Sequence, residues 1–414
     1  MNALFARADG SVLDLPRLRA SADDGVVGRA ERRDFIPLPE GSLLLTLPGR
    51  SVIGFEGSTR SVVAEVEGSE ISAVAAALPL GYTRTLLPAY VERAGAPALP
   101  LYGYAAVAWE GGRICVGAAR TDELETWSPS AHAPAAVRAG IEARMREFPK
   151  SALIRQLALC ATEYGCFTAQ NVFLRAGEAA IPVSPACNAK CIGCISEQEP
   201  DAGVQSAQAR VRLTPTVDEI VSVALAHVEA APDGIVSFGQ GCEGEPLLAA
   251  PLIARAIEKV RATTSAGTLH INTNASRPRA LEQLLAAGVT SVRVSLNSAR
   301  PEAYAAYYRP QGYSLADVLE SVRVAGERKA SISLNLLTHP GVTDDPDEMS
   351  AFAEMLKAYP ISMVQTRTLN VDPAVYFSAV GRPKKKPVGM RSWLAWLARE
   401  FPNVRIGNFT RGFG

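Results

Sequence analysis

The sequence predicts an α/β protein: a partial (β/α)6 TIM-like barrel preceded by a mainly β N-terminal domain. Two observations support this class. Before residue 124, short apolar runs such as SLLLTLP and YGYAAVAW are bounded by Gly, Pro and Asp, which is typical of strands joined by tight turns. After about residue 180, six short apolar segments alternate with amphipathic stretches of helical length, which is typical of parallel strands covered by helices.

Four regions follow from this pattern. We predict a mainly β accessory domain at 1–123, a helical linker at 124–179, the barrel at 180–375 and a C-terminal extension covering the barrel at 376–414. The predicted barrel strands are Ala180–Val183, Gly234–Gly239, Thr268–Thr273, Ser291–Leu296, Ile332–Leu337 and Ser362–Thr368.

Composition limits the partners and the cellular location that we expect for the protein. The formal net charge is zero, so nothing electrostatic across the whole chain favours a nucleic-acid partner. No apolar run approaches the ~18–20 residues that cross a bilayer, and the first residues lack the apolar segment of a secretion signal. Seven cysteines without an export signal are typical of a reducing cytoplasm rather than of a disulfide framework. We therefore expect a cytoplasmic protein with no nucleic-acid or membrane partner.

Three cysteines follow the first predicted barrel strand in the string PACNAKCIGC. Cys187, Cys191 and Cys194 have the spacing C-x3-C-x2-C. Three thiolates on one loop can hold three corners of an iron–sulfur cube and leave the fourth iron open to another ligand. A three-cysteine zinc site completed by a distant residue, or unligated thiols, are the alternatives. Zinc sites usually add a second cysteine pair or His, and no Cys lies beyond Cys242.

The second predicted strand leads into SFGQGCEGEPLL, which contains the Gly-Glu-Pro motif Gly244, Glu245 and Pro246. Together with the cysteine spacing one β-α unit earlier, this motif resembles the signature of the radical S-adenosylmethionine (radical SAM) superfamily. The resemblance covers about residues 180–375. It implies a [4Fe–4S] cluster on the three cysteines, with SAM chelating the fourth iron and its amino group held by the Gly-Glu-Pro motif. A Gly-rich turn before a helix is the alternative interpretation of the motif.

Polar side chains lie at the ends of the later barrel strands. The resemblance implies that residues at these positions contact SAM or the substrate, and that Arg309 pairs with the SAM carboxylate. Asn and Ser are also common turn residues, and capping a helix is the alternative role for Arg309. A buried Arg needs an anionic partner, so Arg367 is expected to meet either a substrate carboxylate or phosphate, or an acidic residue inside the barrel. The strand-end candidates are Asn274, Ser295, Asn297, Asn335 and Arg367.

Two further positions, Gly193 and Cys242, lie within the cysteine loop and the Gly-Glu-Pro loop. Many superfamily members carry an aromatic residue just before the last cysteine, which packs on the adenine of SAM. This chain has Gly193 there, so we do not assign that role to this position. Cys242 lies inside the Gly-Glu-Pro loop and is a candidate hydrogen-atom donor to a substrate radical, as in the epimerase branch. A small buried apolar side chain is the alternative.

The resemblance implies an enzyme that reductively cleaves SAM to a 5′-deoxyadenosyl radical and abstracts hydrogen from a small-molecule or peptide substrate, in the manner of a maturase or epimerase. It also implies an electron donor such as flavodoxin or ferredoxin. A glycyl-radical-enzyme activase is an alternative, although activases resemble shorter chains. A non-catalytic iron–sulfur protein that transfers electrons or senses redox state is a further alternative, which the open iron and the Gly-Glu-Pro motif disfavour.

Overall fold

The computed structural model describes residues 1–123, 127 and 129–412. The start of the predicted linker (124–126 and 128) and the last two residues of the predicted extension (413–414) lie outside the described residues. The bounds of the four predicted regions stay predictions. Within the described residues, none of the helices combines the length and apolar character needed to span a bilayer.

The N-terminal region, residues 1–123, is mainly β, as predicted. Twelve of its strands join in one sheet whose pairs are antiparallel. Glu110 pairs with Arg113 across Gly111 and Gly112, both with positive φ, which is the two-residue turn that hairpins favour. The strands are β1 (Asn2–Ala6), β2 (Val12–Asp23), β3 (Val27–Arg29), β4 (Ile36–Pro37), β5 (Leu43–Leu47), β6 (Arg50–Glu56), β7 (Thr59–Val63), β8 (Glu65–Val66), β9 (Ser69–Glu70), β10 (Ser72–Ala77), β11 (Tyr82–Arg84), β12 (Leu87–Pro88), β13 (Tyr90–Glu92), β14 (Ala105–Glu110), β15 (Arg113–Val116) and β16 (Ala118–Arg120).

The second part of the chain is a parallel sheet whose strands neighbour one another in chain order. Its first and last strands do not pair among the described residues, so the barrel is open. The first strand ends two residues earlier than predicted, because the N–H groups of Val183 and Ser184 bond to the Glu243 carboxylate instead of to a strand. The strands are β17 (Glu178–Ile181), β18 (Ile235–Phe238), β19 (Thr268–Thr273), β20 (Ser291–Leu296), β21 (Ser331–Thr338), β22 (Met363–Thr368) and β23 (Arg405–Gly407).

The seventh strand, β23, corrects the predicted count of six. It pairs in parallel with β22, and it is only three residues long with Arg at one end and Gly at the other, so it lacks the apolar run by which strands are identified. After β23 the chain returns across the sheet. The Thr410 hydroxyl accepts a hydrogen bond from Arg293 of β20, and Gly412 lies against the carbonyl of Asp233 just before β18.

Helices cover the outside of the parallel sheet and share one hydrophobic core with it. Buried residues of the first three helices, such as Leu157 and Val172, belong to this same core, although they lie in the predicted linker. Thr216 caps the fourth helix in a capping box with Glu219. The helices are α1 (Pro134–Glu147), α2 (Ala152–Glu163), α3 (Phe167–Leu174), α4 (Val217–Ala230), α5 (Ala250–Thr263), α6 (Pro278–Ala287), α7 (Pro301–Tyr308), α8 (Leu315–Glu327), α9 (Pro346–Ala358), α10 (Pro373–Val380) and α11 (Met390–Glu400).

The N-terminal region packs on the outer face of β22 through polar contacts. The Thr83 and Thr366 hydroxyls lie 2.6 Å apart. The buried Arg84 guanidinium donates to the carbonyls of Tyr104 at 3.1 Å and Leu369 at 3.4 Å. The two parts of the molecule therefore share buried hydrogen bonds rather than a simple apolar contact.

A buried ion pair also joins the N-terminal region to the barrel. Arg50 donates to the carboxylate of Asp372 at 3.1 Å, and both side chains are almost fully buried. The same carboxylate accepts the N–H of Leu99 at 3.1 Å and caps α10 through the N–H of Ala374. Asp372 therefore holds three separate segments together.

We expect Arg50→Ala to destabilise the whole protein, because it leaves the Asp372 carboxylate buried without its cation. Removing one partner of a buried pair costs about 3–5 kcal/mol. The measurement is the free energy of unfolding in urea, followed by circular dichroism. Arg7→Ala is the matched control, since its ion pair with Glu67 has side chains 40% and 78% exposed and such pairs contribute about 0–1 kcal/mol. Equal effects of the two substitutions would contradict this prediction.

Candidate functional site

The three predicted metal ligands lie on one loop that follows β17 and is tied to the end of α7. The N–H of Lys190 donates to the carbonyl of Tyr308 at 3.0 Å, and the N–H of Ile192 donates to that of Tyr307 at 3.1 Å. Ala189 forms a bridge with Pro310 just beyond the helix. These backbone bonds fix the path of the loop. Cys187 is exposed on it, and Cys191 and Cys194 are half-buried.

The three thiols lie close enough to affect one another. Burial raises the pKa of the Cys191 thiol well above its usual value, and the charges of Cys194 and Cys187 raise it further. Burial likewise raises the pKa of Cys187. A bound cationic group, as the irons of a cluster are, would favour the thiolate forms of Cys187 and Cys191. The residues present fit such a group.

Three thiols on one loop are a donor set that suits an iron–sulfur cube. Among the described residues, no three His, Cys, Asp or Glu side chains are arranged to hold one metal ion. In an iron–sulfur cube each thiolate binds a different iron, so the three sulfurs need not meet at one point. The buried Arg210 lies behind the loop and donates to the Cys194 sulfur at 3.4 Å and to the Ser196 hydroxyl at 2.9 Å. No pattern in the sequence had pointed to Arg210.

The Gly-Glu-Pro loop lies directly against the cysteine loop. The N–H of Gly244 donates to the carbonyl of Ser184 at 2.7 Å, and the N–H of Glu245 donates to that of Ala186 at 2.8 Å. A Cβ on Gly244 would overlap the carbonyl oxygen of Ala186, so only glycine fits this approach. Pro246 then begins a short 3-10 helix.

Glu245 is buried and already holds backbone groups in place. Its Oε1 accepts the N–H of Leu247 at 3.0 Å and the Thr273 hydroxyl, and its Oε2 accepts the N–H of Asn274 at 2.8 Å. A carboxylate has about four acceptor positions, so one remains for a ligand. Burial raises the pKa of Glu245 to about 7. A cation placed at the remaining position would favour the ionised form.

Both loops line one cavity inside the barrel, with a volume of about 330 Å³. We call it the barrel cavity. Of the residues predicted to bind SAM, six line it: Gly244, Glu245, Pro246, Asn274, Ser295 and Asn335. The Asn274 side chain also donates to the Asn188 side chain at 2.8 Å, which links the third strand to the cysteine loop.

Tyr307 reaches the position where many superfamily members carry a loop aromatic. A Cβ on Gly193 would lie 2.7 Å from the Tyr307 hydroxyl, and Tyr307 lines the barrel cavity. The missing aromatic side chain therefore has a substitute from α7 nearby. The signal in the sequence was the run of five alanine and tyrosine residues before Tyr308, in which Tyr304 and Tyr307 have helical spacing.

The structure does not support a SAM contact for Asn297. Its side chain is buried and donates to the carbonyl of Ala303 at 3.1 Å and to the Tyr376 hydroxyl at 3.2 Å, and it does not line the barrel cavity. Asn297 lies beyond the end of β20 and turns toward the helix layer, whereas Ser295 points inward. The predicted SAM contact stays a prediction that this geometry does not favour, because Asn297 lies beyond Leu296, the last residue of β20.

Arg309 does not line the barrel cavity either. It adopts a left-handed conformation (φ 46°) that ends α7, and its N–H donates to the carbonyl of Ala305, which is the helix-capping alternative. Its exposed side chain lines a second cavity, of about 620 Å³, together with Cys187, Cys191 and Leu101. We call this second space the mouth cavity. The predicted pairing of Arg309 with the SAM carboxylate has no support in this geometry.

Cys242 points away from both cavities. Its thiol hydrogen bonds to that of Cys160 on α2, and this bond raises the pKa of Cys242. Cys242 packs against the hydrophobic core outside the sheet and lines neither the barrel nor the mouth cavity. The hydrogen-atom donor stays a prediction that this geometry does not favour, whereas the contacts of Cys242 fit the alternative of a small side chain packed on the core.

Arg367 is half-buried near the end of β22. Its strand partner in β21 is Leu337, which lines the barrel cavity. Burial and the charge of Arg293 lower the pKa of Arg367 to about 10. No hydrogen bond or ion pair engages its guanidinium in the described part of the chain. The predicted alternative of a salt bridge to Arg367 inside the barrel is therefore not seen there.

The chain is similar to a family of known proteins over its barrel. Residues 181–353 match the model of the Radical SAM superfamily. Molybdenum cofactor biosynthesis protein 1 from Bos taurus is 27% identical over 231 residues, which are 54% of this chain and 32% of that protein. The chain thus spans about a third of the length of this relative.

Solved structures with a likeness to this one have TM-scores near 0.4. A spore photoproduct lyase has a TM-score of 0.40 at 15% identity, covering 64% of this chain and 96% of that one. Streptococcus suis SuiB bound to S-adenosylmethionine has a TM-score of 0.40 at 12% identity, covering 62% and 54%. A likeness at this level does not identify a substrate.

The family match covers the cysteine loop, the Gly-Glu-Pro loop and strands β18 to β21, which line most of the barrel cavity. It starts at the last residue of β17 and ends within α9. Residues 181–353 of this chain are therefore a domain of the radical SAM superfamily, whose cofactors are a [4Fe–4S] cluster and S-adenosylmethionine.

Proposed function

We propose that this radical SAM enzyme holds its cluster on Cys187, Cys191 and Cys194 and binds SAM in the barrel cavity, to remove hydrogen from an organic substrate. The observation that carries the proposal is that the three cysteines and Glu245 line one cavity at the carboxyl ends of the strands. In barrels of this kind, chemistry collects at those ends. When bound, the two cofactors supply one-electron chemistry and an acceptor for the substrate hydrogen.

Different residues of the chain bind the cluster and SAM. The three thiolates bind irons and leave one iron without a protein ligand. Glu245 offers its remaining acceptor position to the SAM ammonium, and Asn274 offers an amide next to it. Tyr307 and Leu337 supply apolar surface to the same cavity, which limits the access of water.

We propose that the substrate, a small molecule or a peptide, enters through the mouth cavity. Its volume of about 620 Å³ lies within the usual range of ligand pockets. Cys187 and Cys191 line it as well as the barrel cavity, so a molecule there would lie beside the cluster. A reductant such as flavodoxin or ferredoxin is proposed as the electron donor.

Cys187→Ala, Cys191→Ala and Cys194→Ala should each abolish cluster assembly, because each removes one of three protein bonds to the cluster. The measurement is iron content after anaerobic reconstitution, which should fall from about four irons per chain to near zero. Cys160→Ala and Cys242→Ala are matched controls, since these thiols lie outside the sheet, and both should keep their iron. Full iron retention by any one of the three loop variants would defeat the assignment.

Glu245→Gln should keep the cluster but weaken SAM binding about ten- to a hundredfold, the value of a lost charge-assisted hydrogen bond. Gln is preferred to Ala because it keeps the size of the side chain and one acceptor oxygen for the two backbone N–H groups that Glu245 holds, from Leu247 and Asn274. Equilibrium dialysis of labelled SAM under anaerobic conditions measures the effect.

Thr273→Val is the control for Glu245→Gln. It removes one neutral hydrogen bond to the same carboxylate and leaves the charge, so SAM affinity should change only a few-fold. Unchanged affinity in Glu245→Gln with intact iron would show that the Gly-Glu-Pro loop is only a turn.

A further inference from the structure

Arg367 points into the barrel, and none of the residues that the structure describes forms an ion pair with it. Residues of β22 alternate between the two faces of the sheet. Thr366 faces the N-terminal region, where it contacts Thr83, so Arg367 faces the lumen beside Leu337. In the described residues, none of the five guanidinium N–H groups of Arg367 has an acceptor.

The charged groups around Arg367 leave it without an ion-pair partner. Arg293 lies 3.8 Å from the buried carboxylate of Glu178, so that carboxylate already has a cation. His270 adds no charge, because burial lowers its pKa to about 4. Asp122 is taken by Arg411 at 2.6 Å. The Glu243 and Glu245 carboxylates of the barrel cavity accept backbone N–H groups and, among the described residues, neither pairs with Arg367. Arg367 thus keeps a positive charge without an anionic partner there.

A second donor lies beside Arg367 without an acceptor. Gln365, two residues earlier on the same face of β22, is completely buried. Its Oε1 accepts from Arg293 at 3.0 Å, which fixes the orientation of the amide, and its Nε2 has no partner in the described part of the chain. Its strand partner Asn335 lines the barrel cavity. Buried donors without acceptors are rare and costly.

SAM is an unsuitable partner for this charge. Its ammonium and sulfonium are positive and only its carboxylate is negative, so the cofactor as a whole adds a further positive charge. A second cation in the lumen would raise the cost of burying Arg367.

We infer that the substrate carries an oxyanion, a carboxylate or phosphate group, which binds Arg367 and the Gln365 amide in the barrel lumen. The planar fork of Arg presents paired N–H groups to two oxygens of such a group, and the amide adds a third donor. The inference rests on the proposed function for the placement of the reaction in this barrel. It names the chemical class of the substrate, which the cysteine and Gly-Glu-Pro loops do not.

The test measures thermal unfolding of the full-length, cluster-loaded protein in orthophosphate, in succinate and in chloride at constant ionic strength. The unfolding midpoint of the unchanged protein should rise with the concentration of an oxyanion, because a ligand that binds only the folded state stabilises it. In Arg367→Gln the apparent affinity for that anion should fall about tenfold or more. A response to orthophosphate alone assigns a phosphate, and a response to succinate alone assigns a carboxylate.

Two control variants separate binding from structure. Arg405→Gln replaces an exposed Arg on the neighbouring strand β23 and should leave the anion response unchanged. Arg293→Gln removes the partner of Glu178 and should lower the midpoint without any anion. Arg367→Gln should not lower it, because the charge that it removes has no partner.

An absent anion response in the unchanged protein, or a response that survives in Arg367→Gln, would overturn the inference. So would a midpoint of Arg367→Gln as low as that of Arg293→Gln, which would make Arg367 structural. If Arg367→Gln instead weakens SAM binding and the anions do nothing, Arg367 serves the cofactor and the inference is wrong while the proposed function stands. Failure of the unchanged protein to bind iron and SAM would instead reject the proposed function.

Discussion

The carboxylate of Glu243 accepts four backbone N–H groups, from Val183 and Ser184 after the first barrel strand and from Gly239 and Gln240 after the second. The cysteine loop starts at the first of these strand ends and the Gly-Glu-Pro loop at the second. One side chain therefore holds together the strand ends from which the three thiols and the Glu245 carboxylate are positioned. Burial raises the pKa of Glu243 to about 7, so desolvation outweighs even four hydrogen bonds. The site is assembled at a cost that the surrounding core must offset.

The positions of the barrel strands could be predicted from the sequence to within about two residues, because each is a short buried apolar run between helical stretches. Two of the six, Thr268–Thr273 and Ser291–Leu296, have the predicted bounds. β23 could not be predicted, since it has almost no apolar residues and depends on pairing with β22. The cysteine and Gly-Glu-Pro loops were identified because their chemistry needs fixed spacings that sequence displays directly.

The direction of side chains at the strand ends could not be predicted from the sequence. Ser295 and Asn297 are both polar and lie two residues apart, which is the spacing of one face of a strand. Ser295 nevertheless lines the barrel cavity, whereas Asn297 bonds to Tyr376. Cys242 lies between two residues that line the cavity and points to Cys160 instead. The direction of each of these side chains depends on the path of its loop, which is fixed by contacts with residues far away in the sequence. Glu243 and Arg210 were missed for the same reason, because their partners are backbone groups and a single sulfur far along the chain.

The polar character of the second half of β22, on both faces, has a consequence for strand register. Gln365 and Arg367 face the lumen, and Thr366 and Thr368 face the N-terminal region. These four residues offer no hydrophobic pattern to select a register, and a slip by one residue would exchange one polar set for the other. The hydroxyl and backbone contacts from Thr83 and Arg84 supply that selection. The N-terminal region therefore fixes the register of the strand end that lies beside the barrel cavity.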